Sequence, residues 1–259
     1  MQTKLLELKN NFEETLRGIW VEAGVGKTKA VLMVGGFERS ATTEKKFKVL
    51  ADKLVSRGVD SLRFDAADCG LSDGDFSRFS LEKMTSDVEV ALINLKHLGY
   101  QQISVVAHSI GCCAAVELAD RYNLDKLVLL GPALNQKDLL RYYFVVSQNP
   151  TLEINWTNYK NYLDEAQFLK SVKLEFFAKQ HQVSGTYKTQ GELLDLSSRL
   201  VNMDPNKLLL IQGLADDKVP PNSLGFEFKN KILIEKGDHD LEKPGIFEQW
   251  IDRAVEFLI

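Results

Sequence analysis

Through most of this chain, short apolar or β-branched runs alternate with longer segments whose apolar residues recur every three or four positions. The runs Leu5–Lys9, Gly18–Glu22, Ala30–Val34, Val59–Phe64, Ile103–Val106, Leu127–Leu130, Leu208–Ile211 and Lys231–Glu235 predict strands. Phe47, Leu50, Leu54 and Val55 lie at helical spacing, in a helix capped by Thr42 or Thr43, running to Arg57 and ended by Gly58. Ser80 caps a second helix with Met84, Val88, Ala91, Leu92 and Leu95 on its inner face, closed by Gly99. Small and apolar residues predict a third helix down to Asp120, and a last one runs from Pro244 to Leu258. Strands alternating with helices from Ala30 to Pro132 imply an α/β fold, a mostly parallel sheet with helices on both faces.

The rhythm breaks between Ala133 and Met203. That stretch has few β-branched runs and many aromatics, among them Tyr142, Tyr143, Phe144, Trp156, Tyr159, Tyr162, Phe168, Phe176, Phe177 and Tyr187. It reads as a cap inserted over the carboxyl ends of the strands. The core is then residues 1–132 and 204–259, and the cap residues 133–203. Most of the cap aromatics are expected only to pack it onto the core, the rest to line a pocket for an apolar or aromatic group.

Candidate chemistry centres on Ile103–Ala115. A β-branched run ends at Ala107-His108, Ser109 follows, and a helix of small residues begins after Ile110-Gly111. That is strand, sharp turn and helix with a serine at the apex, beside the unpaired N–H groups of a helix start. Ala107 and Gly111 are the small flanking residues that a cramped turn needs, with Ala107 where the G-x-S-x-G pattern has its first glycine. Gly70-Leu71-Ser72-Asp73-Gly74 matches that pattern letter for letter, yet it lies in a Gly/Asp/Ser-rich loop with no helix after it, so Ser72 reads as a loop serine. Gly24-Val25-Gly26-Lys27-Thr28 resembles a phosphate-binding loop, but Val21 occupies the first glycine position and a strand follows, so a hairpin turn at Val25–Lys27 is the better reading.

A serine nucleophile needs a general base. His97 lies at an exposed helix end. His108 adjoins Ser109, and its side chain leaves on the opposite face. His181 sits among polar cap residues. His239 follows the last strand, at the same sheet edge as the Ser109 turn, and is selected by elimination. The strand Leu208–Ile211 also ends at that edge, offering Asp216 or Asp217 to orient the base. Gly35-Gly36 lets the Phe37 N–H face the nucleophile.

The 259 residues, 44% hydrophobic, suffice for one large core plus a small insertion. A net charge of −4 without a Lys/Arg block gives no electrostatic case for nucleic acid. No apolar run reaches membrane-spanning length and the N-terminus lacks a signal-like stretch. Three cysteines, Cys69, Cys112 and Cys113, are not a disulfide framework and suit a reducing cytoplasm. Helix polarity would lower the thiol pKa of Cys112 and Cys113, but small apolar packing is the expected role of both.

Taken together, these segments resemble the α/β-hydrolase superfamily. Ala107-His108-Ser109-Ile110-Gly111 is similar to its nucleophile elbow, Gly35-Gly36-Phe37 to its His-Gly-Phe oxyanion loop with glycine for histidine, and Gly237-Asp238-His239-Asp240 to its histidine loop. Gly213-Leu214-Ala215-Asp216-Asp217-Lys218-Val219-Pro220 is similar to the G-x-x-D-x-x-V-P acid loop, which selects Asp216. Ser61-Leu62-Arg63-Phe64-Asp65 with Gly70–Gly74 resembles a segment of single-domain cinnamoyl and feruloyl esterases. The resemblance implies a serine carboxylesterase. Ser109 would be the nucleophile, His239 the base and Asp216 the acid, with the Phe37 and Ile110 N–H groups as the oxyanion hole and no cofactor or metal. The implied partner is a small-molecule ester, with no nucleic acid and no membrane span; a homodimer is left open. Thioesterase and amidase chemistry on the same residues, and a non-catalytic binding module on the same fold, are the alternatives.

Overall fold

The computed structural model describes every residue except Met1, Val25, Lys27, Lys179 and Gln180, so the hairpin turn expected at Val25–Lys27 falls mostly outside the described residues. An N-terminal antiparallel pair, β1 (Gln2–Lys9) and β2 (Thr15–Glu22), leads into β3 (Lys29–Val34), α1 (Lys45–Val55), β4 (Asp60–Phe64), α2 (Leu81–His97), β5 (Gln102–His108), α3 (Gly111–Tyr122) and β6 (Leu127–Leu130). Then come α4 (Gln136–Gln148), α5 (Glu165–Val172), a short antiparallel pair β7 (Phe176–Ala178) and β8 (His181–Val183), and α6 (Thr186–Gly191). The chain closes with β9 (Leu208–Gly213), β10 (Lys231–Ile234) and α7 (Ile251–Leu258).

Eight strands form one sheet in the order β1-β2-β4-β3-β5-β6-β9-β10, parallel from β4 to β10. Successive side chains of a strand point to opposite faces. Leu32 and Val34 therefore pack with the apolar residues of α2 and α3, while Val31 and Met33 pack with Phe47, Leu50 and Leu54 of α1 and Trp250 and Ile251 at the start of α7. Both faces are covered, which is why the central strands read as unbroken apolar runs. Among the described residues, none between β6 and β9 joins this sheet, and no helix is long and apolar enough to cross a membrane.

The starts of β1 and β2, at Gln2 and Thr15, lie three residues ahead of the expected runs, and the starts of two helices differ as well. α1 starts at Lys45, without a side-chain cap. Thr42 is occupied elsewhere: its N–H and hydroxyl donate to the Asp65 carboxylate at 3.1 and 2.6 Å, joined by Ser40 Oγ and the Leu71 N–H. A carboxylate at the end of β4 thus captures the local capping signal. The last helix starts at Ile251, after a 3₁₀ turn at Phe247–Gln249, because Gly245 takes φ +79° and breaks the helical path after Pro244. Ser80 does cap α2, accepting from the Lys83 N–H at 3.1 Å. Ser72 is a loop serine, donating to the Asp65 carbonyl and accepting from the Arg17 N–H of β2.

The β1–β2 turn is tied to α2 through a buried carboxyl. Asp87 accepts from Asn10 Nδ2 at 2.9 Å and from the Ala67 N–H at 2.7 Å. Burial outweighs these bonds and pushes its pKa up to about 6. An unfolded aspartate titrates near about 4, so the fold holds the proton between roughly pH 4 and 6 while the unfolded chain releases it. Stability is gained as pH falls through that window and lost as pH rises, by at most about 3 kcal/mol. Urea unfolding of Asp87→Asn is therefore expected to gain about 2–3 kcal/mol relative to wild type between pH 4 and 7. A pH-independent difference would show that Asp87 ionises normally in the fold.

Candidate active site

β5 delivers its chain to a turn held by tight packing and by backbone hydrogen bonds. Ser109 takes φ +55°, a left-handed conformation rare for serine. Its N–H donates to the Leu130 carbonyl at 2.9 Å and its carbonyl accepts from Cys112 and Ala133. Glycines make the room: a Cβ on Gly111 would stand 2.4 Å from the Gly35 carbonyl oxygen, and one on Gly36 would stand 2.9 Å from Ser109 Cβ. Ala107, by contrast, is fully buried with its methyl accommodated.

The loops after β9 and β10 meet this turn. His239 Nε2 lies 2.9 Å from Ser109 Oγ, and His239 Nδ1 lies 2.8 Å from Asp216 Oδ2. Asp216 is buried; its Oδ1 accepts from the Lys218 and Val219 N–H groups at 2.9 and 2.8 Å, and its Oδ2 also accepts from Gln212 Nε2 at 3.1 Å. Asp217 points outward, with 74% of its side chain exposed beside Lys218. The structure thus brings Ser109, His239 and Asp216 into series and leaves Asp217 aside. His97 and His181 are both exposed, away from the series. The Phe37 and Ile110 N–H groups donate no hydrogen bond to a described residue.

Several supporting groups were not foreseen. His108 does leave Ser109 on the other side, but its ring is not idle: Nε2 contacts the His239 carbonyl at 2.9 Å. A carbonyl only accepts, so Nε2 carries the proton. Nδ1 is buried without a partner. Burial, aided by the nearby Lys46 and His239, holds this imidazole well below its ordinary pKa, hence neutral. Lys46 is fully buried, donates to the Asp240 carbonyl at 3.3 Å and pairs with Glu44 and Glu242. Arg39 pairs with the Asp240 carboxylate. The histidine loop is therefore pinned at the His239 carbonyl and at Asp240. Gln212 was legible in principle, as the one polar residue ending the apolar run of β9.

Helix polarity does not activate the cysteines. Burial pushes Cys69 up to about 12 and raises Cys112 and Cys113 as well. Among the described residues, no group of three or more His, Cys, Asp or Glu side chains is placed to hold a metal ion.

Ser109 and His239 open onto a cavity of about 720 Å³. Tyr143, Phe144, Phe168, Phe176, Phe177 and Tyr187 line it, so six of the ten aromatics named above face the cavity, against the expectation that most only pack. Phe37 touches both the segment between β6 and β9 and the residues before α2: its ring lies 5.3 Å from Tyr187, 6.5 Å from Phe176, 4.9 Å from Phe76 and 5.0 Å from Phe79.

A parallel sheet flanked by helices, with a serine at a left-handed strand–helix turn and a histidine on the last strand's loop, defines an α/β hydrolase. Residues 27–224 match the family model described as serine aminopeptidase, S33, and the chain belongs to that family. His239 lies beyond the matched span. Among solved structures, the chain is similar to Est1E from Butyrivibrio proteoclasticus with ferulic acid bound (TM-score 0.74, 18% identity, covering 97% of each chain). It is also similar to α/β hydrolase domain-containing protein 10 from mouse (TM-score 0.72, 17% identity, covering 98% of this chain and 97% of that one). At such identities the likeness is one of fold. An acyl transferase of Shewanella hanedai is 27% identical over 115 residues, 44% of this chain. One of Photobacterium leiognathi is 26% identical over 117 residues, 45% of this chain. These matches span only 36% and 37% of the two relatives' own lengths.

Proposed function

We propose that this hydrolase cleaves a carboxylic ester through an acyl-enzyme on Ser109. The observation that carries the reading is the unbroken series from Ser109 Oγ to His239 to Asp216, at 2.9 and 2.8 Å, on the wall of the large cavity. His239 takes the hydroxyl proton as Oγ attacks the ester carbonyl, and Asp216 holds the tautomer and stabilises the imidazolium. The Phe37 and Ile110 N–H groups receive the oxyanion, each worth on the order of 3 kcal/mol of barrier. His239 returns the proton to the leaving alcohol. A water then gives up a proton to His239, attacks the acyl carbon and releases the acid, restoring Ser109. Residues 133–203 act as a cap on a core of residues 1–132 and 204–259, and their aromatics form the substrate wall.

The acyl transferase relatives favour one second reading, in which a thioester donates the acyl group or an alcohol or thiol replaces water as its acceptor. The same Ser109 intermediate serves both. Hydrolysis of 4-nitrophenyl butyrate, lost in Ser109→Ala, tests the shared reading. A product that shifts to butyrate ester or thioester when an alcohol or thiol is added separates the two.

A further inference from the structure

Among the described residues, charges on the cavity wall are neutralised in pairs, with one exception. Arg39 sits against Asp240 and Glu44, Lys218 against Asp217, and Asp238 against Lys243. Lys188, on α6, is the exception. Its Nζ lies 5.1 Å from the centroid of the Phe176 ring and donates to the Ser171 carbonyl at 2.7 Å. Phe176 and Ser171 both line the cavity, so this ammonium stands on its wall. Among the described residues, no carboxylate is paired with it.

The Ser171 carbonyl belongs to the last turn of α5, where a cation is favoured, and this fixes where the amine sits. It satisfies one of three ammonium donors. Partial burial lowers the amine's pKa from the ordinary lysine value, the cost of a cation partly withdrawn from water with no carboxylate to offset it. A bound anion would supply that offset. Between Lys188 and the serine lies an apolar stretch, since Phe176 stacks on Phe37, beside the Ser109 turn.

We propose that Lys188 is an anion subsite, and that the ester cleaved at Ser109 carries a carboxylate at its far end. An apolar spacer along Phe37 and Phe176 joins that carboxylate to the reacting carbonyl. The inference rests on the ester-cleavage reading above, but it concerns recognition rather than chemistry. The two can fail separately.

The test compares 4-nitrophenyl hemisuberate with 4-nitrophenyl octanoate, which match in chain length and differ in the terminal carboxylate. The suberate chain is long enough that its carboxylate does not readily attack its own ester. Wild-type kcat/KM is expected to favour the hemisuberate by about tenfold. In Lys188→Met that ratio is expected to fall to about one or below, and in Lys188→Arg to be largely kept. Calorimetry on Ser109→Ala, with monomethyl suberate against methyl octanoate, reads the subsite without turnover, and the suberate is expected to bind about tenfold tighter. Turnover of both esters without preference, or a preference that survives Lys188→Met, overturns the subsite. Tighter binding of the suberate with no turnover of either ester supports the subsite and overturns the ester-cleavage reading.

Discussion

Alanine at Ser109 or His239 is expected to lower kcat on a 4-nitrophenyl ester by about a millionfold, and the double variant to be no worse than either single one. The two groups act as a unit: without the imidazole the hydroxyl keeps its proton, and without the hydroxyl the imidazole has nothing to activate. Asp216→Asn is expected to cost about 10⁴-fold, for a reason the hydrogen bonds give. Oδ1 accepts from two backbone N–H groups, Lys218 and Val219, so an asparagine places its carbonyl there. Its NH₂ then faces His239 Nδ1 and Gln212 Nε2, where Asp216 Oδ2 now accepts. The imidazole is driven to the tautomer that carries its proton on Nε2, facing Ser109, and cannot act as a base. Steady-state rates with KM measured separately check this, since the loss is expected in kcat. An Asp216→Asn protein within tenfold of wild type would remove Asp216 from the role.

Gly111→Ala is expected to be a severely damaging change at the Ser109 turn. The added methyl would stand 2.4 Å from the Gly35 carbonyl oxygen and 3.0 Å from Val34 Cγ1. The first is backbone in the loop that presents Phe37, directly after a central strand, and it cannot swing aside. A loss of about 3 kcal/mol or more in urea unfolding is expected, with the Gly35-Gly36-Phe37 backbone displaced. Ala107→Gly, which restores the usual motif glycine, is expected to cost no more than about 1 kcal/mol. Equal midpoints for Gly111→Ala and wild type would show that the turn has slack that the contacts deny.

Much of this was legible in the sequence because it follows from local pattern. Apolar runs between helical periodicities fix the parallel sheet, and a parallel sheet puts the loops holding Ser109, Asp216 or Asp217, and His239 at one edge. What local pattern leaves out is competition between distant groups. Thr42 and Thr43 look like helix caps, but Asp65 claims Thr42 from 23 residues away in the chain. Cys112 and Cys113 sit at a helix start, yet desolvation decides their pKa. Only the folded loop puts Asp216 under two backbone N–H groups while Asp217 points to water. The clamp from His108 to the His239 carbonyl joins positions 131 residues apart. The aromatics between β6 and β9 could not be sorted into packing and lining before that segment was folded.

In the proposed mechanism, His239 makes Ser109 reactive. Labelling by a fluorophosphonate, located by mass spectrometry, reads it directly. The expected result is one adduct, on Ser109, absent in Ser109→Ala and slowed by several orders of magnitude in His239→Ala. A folded wild-type protein that takes no label, or one labelled on Ser109 as fast without His239 as with it, would contradict the account.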